Sequence, residues 1–305
     1  DIKLLELASL DQPLLREFSV QAPGTWNHCI VLGQIAEAAA EAIGANPLLA
    51  RVGAYYHDIG KTGKPAYFVE NQTKDNRHDK LTPSMSALIV KSHVKEGIEL
   101  ALQHGLPRKV ADMIPQHHGT ALIKYFYDKA LAEAEEGETV DQNQYRYDGP
   151  RPQSKEAAIL MLGDSVEAAS RTLVDPSPPK IQGLVQRIIN NIFTSGELDE
   201  SNLTLRDLHQ IAKAFTRVLT GIYHRRIEYS ETAERGRDTK SGRPLKNGSV
   251  AQQIEKTKIE TTNGQYGNGS RSAIEAESSE NPPEAAAKKH DAPDSKEALK
   301  RLGLC

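Results

Sequence analysis

Three observations predict an all-α fold. The chain is rich in Ala, Leu, Ile, Glu and Lys and only 5% of it is aromatic, a composition that favours helices. Several long stretches repeat apolar residues at helical spacing, and many of them begin at proline or end at glycine. No stretch has a convincing strand pattern, and no internal repeat is visible. We therefore expect a bundle of amphipathic helices.

Composition also limits the class of protein. A chain of 305 residues, 38% of them hydrophobic, can form one large domain or two small ones. Its net charge of -3 provides no overall positive field, so a nucleic acid polymer is not an expected partner. Cys29 and Cys305 are the only cysteines, which excludes a disulfide framework and indicates a reducing compartment.

The character of the chain changes after Tyr229. Residues 1–229 carry the helical patterns and are predicted to form the folded domain. Residues 230–305 are rich in Gly, Ser, Asn, Glu, Lys and Pro, and cannot bury enough apolar area to offset ordering entropy. We predict a disordered tail there, with a transient helix over residues 295–302. No apolar run reaches the roughly 18 residues of a transmembrane helix, but Asp1 in place of Met leads us to expect a piece of a longer protein.

Proline starts, glycine ends and apolar spacing set the predicted helices. They are Ile2–Phe18 broken at Pro13, Thr25–Ile43, Pro47–Asp58, Pro83–Gly105, a short helix after Pro107, Leu122–Glu136, Lys155–Leu173, Lys180–Thr194 and Leu205–Tyr229. Thr25 is predicted to be the N-cap of its helix. Residues 60–81, rich in Gly, Pro, Asn, Lys and Asp, are predicted to form an ordered loop.

A histidine and an aspartate stand side by side where an apolar helix ends. The stretch reads Tyr55-Tyr56-His57-Asp58-Ile59-Gly60-Lys61. A neutral imidazole and a carboxylate are both good ligands for divalent metals, and a carboxylate can bridge two ions. An ionised aspartate buried among apolar side chains is costly unless a cation compensates it. The alternative is a helix-end pair hydrogen-bonded to the backbone.

Further potential ligands follow along the chain, on apolar helix faces or at helix ends. They are His28, His93, His117, His118 and Asp164. A histidine such as His28, taken alone, is more often a hydrogen-bonded core residue than a ligand, whereas the adjacent pair His117-His118 favours ligands over core residues. Asp164 needs a metal or an arginine to stay ionised, and Arg171 lies on the same line of its helix as the structural alternative.

The whole set supplies imidazoles and carboxylates from five helical segments. Two divalent cations that share Asp58, about 3.5–4 Å apart with a water or hydroxide between them, would satisfy it and would support in-line attack on phosphorus. The loop adds donors suited to a phosphate-bearing ligand, although an ordinary solvated loop would have the same composition. These donors are Lys61, Lys64, Asn71, Gln72, His78 and Lys80.

The order of these residues resembles an HD-domain phosphohydrolase of the dinuclear kind. Longer stretches are similar to the cytoplasmic domain of the seven-transmembrane HD family, the PgpH-type cyclic di-AMP phosphodiesterases. The resemblance covers about residues 4–229, and it does not cover the tail. The matching stretches are Ala22 to His28 (APGTWNH), Gly44 to Lys61 (GANPLLARVGAYYHDIGK), Glu70-Asn71-Gln72, His78 to Leu81 (HDKL) and Ser92 to Gly97 (SHVKEG).

The resemblance implies an all-α HD bundle in the cytoplasmic part of a bacterial membrane protein, whose N-terminal membrane region is missing here. It implies hydrolysis of cyclic di-AMP to linear pApA with two ions of iron or manganese. One ion would take His28, His57, Asp58 and Asp164, and the other Asp58, His93, His117 and His118.

The same resemblance suggests roles for residues around the ions. Asp58 and Lys61 would act in catalysis, with Lys61 on a phosphate oxygen. Arg171 would orient Asp164 or reach a phosphate. The substrate entrance would be lined by Asn71, Gln72, His78 and Lys80.

Alternative functions remain open at the level of sequence. The Gly-Tyr-Pro signature of related cyclic di-GMP hydrolases is missing, since Gly119-Thr120 follows His118. A broader nucleotide or alarmone phosphohydrolase is one alternative, and a non-catalytic cyclic-dinucleotide receptor is another. The oligomeric state is open and includes a homo-oligomer.

Overall fold

The computed structural model describes residues 2–72 and 75–238, with side chains in the last helix described as far as His224. Residues 239–305, which include most of the predicted tail and its transient helix, lie outside this range. The helices are α1 Ile2–Leu7, α2 Pro13–Gln21, α3 Pro23–Ala42, α4 Pro47–Tyr56, α5 Pro83–Gln103, α6 Arg108–Ala111, α7 Met113–Gln116, α8 Lys124–Glu133, α9 Lys155–Ser170, α10 Pro178–Thr194 and α11 Leu205–Asp238.

The predicted all-α fold is confirmed for the described part of the chain. No strand forms there, and the only β feature in that part is an isolated antiparallel bridge between Leu122 and Arg146. α11 continues to Asp238, past the end predicted at Tyr229, so residues 230–238 are helical where a disordered tail was expected. The proposed domain division at residue 229 stays a prediction. None of the helices in the described part is both long and apolar enough to cross a membrane.

α3 is the central helix and packs against α2, α4 and α9. Ile35 and Ala39 on one face join an apolar cluster with α9, α10 and α11. Cys29 and Leu32 on the other face join a second cluster with α1, α2, α4 and α7. Because close-packed interiors are rigid, the helices that carry most of the predicted metal ligands are held at fixed distances from one another.

The start of α3 is stabilised by a residue distant in sequence. The prediction of Thr25 as the N-cap is wrong, because α3 already begins at Pro23 and Ala22 precedes it. The side-chain oxygen of Asn71 instead accepts hydrogen bonds from the backbone N–H groups of Gly24 (2.9 Å) and Thr25 (3.2 Å). The Asn71 amide also donates to Thr25 Oγ1 at 2.8 Å. Asn71 therefore satisfies N–H groups that the helix itself leaves unpaired.

The predicted loop over residues 60–81 contains short 3-10 helices: Ile59–Gly63, Pro65–Tyr67, Val69–Asn71 and Arg77–Lys80. The first of them packs directly on α5. A Cβ on Gly60 would overlap the carbonyl oxygen of His93 and crowd the backbone nitrogen of Gly97. Glycine at this position therefore allows the close approach that brings α5 beside the end of α4.

We predict that Asn71→Ala lowers the free energy of unfolding by about 1 kcal/mol, because the first turn of α3 loses its cap. Urea denaturation followed by circular dichroism measures the change. Asn191→Ala, at an exposed position inside α10, is the matched control and should change stability little. Equal stability of Asn71→Ala and the wild type would contradict the capping role.

Candidate metal centre

The structure brings all seven predicted metal ligands into one buried region around Asp58. His28 comes from α3, His57 and Asp58 from the end of α4, His93 from α5, His117 and His118 from the end of α7, and Asp164 from α9. Asp58 Oδ2 lies 3.2 Å from His57 Nε2. Asp58 Oδ1 lies 3.4 Å from His93 Nε2 and 3.7 Å from His117 Nε2. The Asp58 carboxylate thus lies close to histidines that come from α4, α5 and α7.

Two groups of ligand atoms can be distinguished, each with its atoms within 4.8 Å of one another. The first group is His28, His57 and Asp58, and the second is His93, His117 and His118. Asp164 belongs beside the first group, because its Oδ1 lies 3.0 Å from His28 Nε2 and 4.0 Å from His57 Nε2. The role of the seven residues as ligands stays a prediction that this geometry is suited to.

Backbone carbonyls fix the tautomers of three histidines. Nδ1 of His57 lies 2.8 Å from the carbonyl oxygen of Ala54. His93 and His117 repeat the pattern with the carbonyl oxygens of their own helices, at 2.6 Å and 2.5 Å. Since a carbonyl can only accept, each Nδ1 carries the proton when the ring is neutral, and the lone pair at Nε2 is free for a metal.

Several buried polar atoms in the centre form no hydrogen bond of good geometry among the described residues, although Lys61 Nζ lies near Asp58 Oδ2 and Asp164 Oδ1 lies near His28 Nε2. These atoms are His28 Nε2, His57 Nε2, and Oδ1 and Oδ2 of Asp58. Buried polar groups in native proteins are nearly always paired, so an unpaired set in one place requires an explanation. Divalent cations bound by nitrogen and oxygen ligands would satisfy all of these atoms at once. The residues present therefore fit a divalent metal centre.

The charges of the centre are also suited to cations. Burial lowers the pKa of His93 and His117, and it lowers that of His118 to about 3, which keeps these imidazoles neutral at pH 7. Burial alone would raise the pKa of Asp58, but His57 and Lys61 hold it well below its usual range. Asp58 is therefore an ionised carboxylate that lies beside the neutral rings of His93 and His117.

Glu167 is a partner of His28 that the sequence analysis missed. Its Oε2 lies 2.5 Å from His28 Nδ1. Burial alone would lower the pKa of His28, but Asp164 and Glu167 raise it to about 10, so this end of the centre attracts positive charge. Glu167 follows Asp164 by three positions on α9, which places both carboxylates on one helix face. That spacing is the signal that could have identified it.

Arg171 does not pair with Asp164 as the sequence alternative suggested. Its Nε donates to both carboxylate oxygens of Glu167, at 2.8 and 3.0 Å. The separation of four residues brings Arg171 closer to Glu167 than to Asp164, one turn further away. Arg171 therefore reaches the centre through Glu167 and His28.

Lys61 lies between two carboxylates. Its Nζ is 2.7 Å from Asp58 Oδ2 and 3.0 Å from Glu70 Oε1. Burial would lower the pKa of Lys61, but Asp58 and Glu70 raise it well above its usual value, so the ammonium stays charged. Glu70 also accepts a hydrogen bond from Thr25 Oγ1 at 2.8 Å, which ties Lys61 to the start of α3.

The other predicted substrate residues are not part of the cluster around Asp58. Asn71 is engaged with α3, as described above. Gln72 donates to the carbonyl oxygen of Ala66 at 3.2 Å. His78 is buried, with Nε2 2.8 Å from the carbonyl oxygen of Tyr67, and Lys80 is exposed. Their contact with substrate stays a prediction.

We expect Glu167→Gln to weaken metal binding by about 10–100-fold, because an uncharged partner makes His28 a poorer ligand. Titration of the metal-free chain with Mn²⁺ measures this. Glu156→Gln, at the start of the same helix, should bind as the wild type does. The proposed support of His28 is contradicted if both variants bind metal equally.

Comparison with known proteins places this geometry in a family. Residues 25–169 match the HD domain family. The chain is 47% identical over 235 residues to the cyclic-di-AMP phosphodiesterase PgpH of Bacillus subtilis, covering 77% of this chain and 33% of that protein. It is 45% identical over 230 residues to the PgpH of Listeria monocytogenes, covering 75% and 32%. The chain thus spans about a third of the length of these relatives.

Solved structures extend the comparison to the fold. The crystal structure of the Listeria monocytogenes PgpH HD domain is 45% identical to this chain, with a TM-score of 0.66, and the match covers 70% of this chain and all of that domain. The same domain in complex with cyclic-di-AMP matches with the same TM-score and identity.

Proposed function

Because the chain belongs to the HD-domain family, we propose that it hydrolyses a phosphodiester bond of cyclic di-AMP to give linear pApA. The observation that carries this proposal is the convergence of five histidines and Asp164 around Asp58, with buried polar atoms that cations would pair. The substrate is inferred from the similarity to a domain whose structure contains cyclic-di-AMP.

The residues present suggest how two cations would be held. His28, His57, Asp58 and Asp164 would hold one, and Asp58, His93, His117 and His118 the other. Iron or manganese suits this mixture of nitrogen and oxygen ligands. When bound, such a pair lowers the pKa of a water molecule to supply the nucleophile and neutralises charge on the phosphoryl group.

The side chains around the ligands would orient the reaction. Lys61 carries a charged ammonium beside Asp58 and is suited to bind a phosphate oxygen as negative charge develops on it. Glu70 keeps that ammonium in position. Arg171 would act through Glu167 on the orientation of His28. Among the four residues predicted to line the substrate entrance, Lys80 has an exposed side chain, and its charge would attract the second phosphate.

The domain would act as one part of a larger protein. The relatives are about three times as long as the matched segment. Because the sequence resembles the cytoplasmic domain of the seven-transmembrane HD family, we propose that this chain is the cytoplasmic part of a bacterial membrane protein. In that setting the domain would lower the level of a second messenger, and its partner would be the cyclic dinucleotide rather than a nucleic acid polymer.

We predict that the manganese- or iron-loaded chain cleaves cyclic di-AMP in preference to cyclic di-GMP, guanosine alarmones and mononucleotides. Chromatography of the products of each substrate, at equal enzyme concentration, measures the preference. A clear preference for mononucleotides or alarmones would support a broader phosphohydrolase. Tight binding of cyclic di-AMP without turnover in the metal-loaded chain would support a receptor domain instead.

Asp58→Asn is the matched inactive variant in this assay. Since partners that only support a ligand contribute about 10–100-fold, loss of the shared carboxylate should lower turnover by at least about 100-fold and release metal. The helical circular dichroism spectrum should stay largely unchanged. Asp112→Asn, on the surface, controls for the substitution itself. Near-normal turnover by Asp58→Asn would contradict the proposed mechanism.

A further inference from the structure

Tyr147 lies against the second group of histidines. Its ring is stacked on that of His118, with centroids 4.1 Å apart and planes inclined by 17°. It also meets His93 edge to face, with centroids 6.2 Å apart. Tyr147 is not one of the predicted ligands, but its ring contacts two of them. It can therefore influence the centre without binding a metal itself.

His118 differs from the other histidines of the centre in how its ring is held. His57, His93 and His117 each place Nδ1 on a backbone carbonyl, and His28 places it on Glu167. In the described part of the chain, no hydrogen bond to a ring nitrogen of His118 is found. Its ring instead contacts three aromatic neighbours: it is stacked on Tyr147, it lies 3.9 Å from His117 between centroids, and it meets His93 edge to face at 5.2 Å.

The segment that carries Tyr147, residues 145–149, is firmly attached to the turn that follows His118. We name this segment the strap. Its backbone bonds to that turn through Tyr147 N to Ala121 O (3.0 Å) and Ile123 N to Tyr145 O (2.7 Å). The Arg146 guanidinium donates to the carbonyl oxygen of Thr120 at 3.1 Å. The stacked ring is therefore placed by several bonds and not by its own contact alone.

The strap is also joined to α5, which carries His93. Asp148 Oδ1 lies 3.0 Å from Lys91 Nζ, and Lys91 precedes His93 by two positions. On the opposite side of the turn, buried Glu197 accepts hydrogen bonds from the backbone N–H and the hydroxyl of Thr120, at 2.9 and 2.6 Å. The turn after His118 is thus held from both sides.

We propose that Tyr147 is a positioning residue for the second metal ion. Its ring takes the place of the hydrogen-bond partner that His118 lacks, and it keeps the imidazole directed at the other two histidines of its group. The proposal rests on the proposed dinuclear function and adds a role for the strap. It predicts that a flat ring at position 147 matters and that its hydroxyl group does not.

Mn²⁺ titration of the metal-free full chain, with bound metal counted per chain, tests the proposal. The wild type and Tyr147→Phe should bind two ions with similar affinity. Tyr147→Leu should bind the first ion normally and the second about tenfold more weakly or worse. Phe193→Leu removes an exposed aromatic ring from α10, which carries none of the predicted ligands, and it should bind metal as the wild type does.

The outcomes separate the two claims. Wild-type binding of the second ion by Tyr147→Leu, or equal weakening in Tyr147→Phe and Tyr147→Leu, overturns the positioning role alone. Failure of the wild type to bind two ions overturns the dinuclear function. Circular dichroism checks folding first, and Tyr147→Met, a flexible side chain of similar bulk, repeats the measurement if Tyr147→Leu does not fold.

Discussion

Burial of the Asp58 carboxylate is the constraint on which the rest of the domain depends. An ionised carboxylate removed from water is stable only beside positive charge or enough hydrogen-bond donors. Lys61 provides one positive charge, whereas His93 and His117, whose Nε2 atoms face the carboxylate, are kept neutral by burial. The remaining need for positive charge is the reason why we propose that this region binds divalent cations.

Packing of the helices also brings hydrogen-bond partners to the sides of the ligands that point away from Asp58, and these partners fix the orientation of the ligands. Carbonyl oxygens hold three of the histidine rings, and the Glu167–Arg171 pair holds His28. Glu70 links Lys61 to Thr25 at the start of α3. Asn71, which follows Glu70 in the sequence, caps the first turn of the same helix. Binding of charge and stability of the fold are therefore coupled, because the same short segment supports both.

Helical periodicity and helix ends were enough to identify the residues that converge on Asp58. His28, His93 and Asp164 lie on apolar helix faces, where burial of a polar group is costly unless it has a partner. His57 and Asp58 lie where a helix ends. The partners behind them were less accessible. The cap on Thr25 comes from a residue 46 positions away, and local sequence carries no information on such a contact. The sequence analysis offered Arg171 as a partner of Asp164, whereas Arg171 donates its hydrogen bonds to Glu167, which is nearer along the helix. Tyr147 lies in an irregular segment that has no periodicity to interpret.

Anomalous diffraction from crystals grown with Mn²⁺ tests the central claim most directly. The account predicts two manganese peaks about 3.5–4 Å apart, with Asp58 bridging them and the two groups of histidines on opposite sides. A single peak, or peaks that lie away from Asp58 while the histidines hydrogen-bond only to protein, would contradict it.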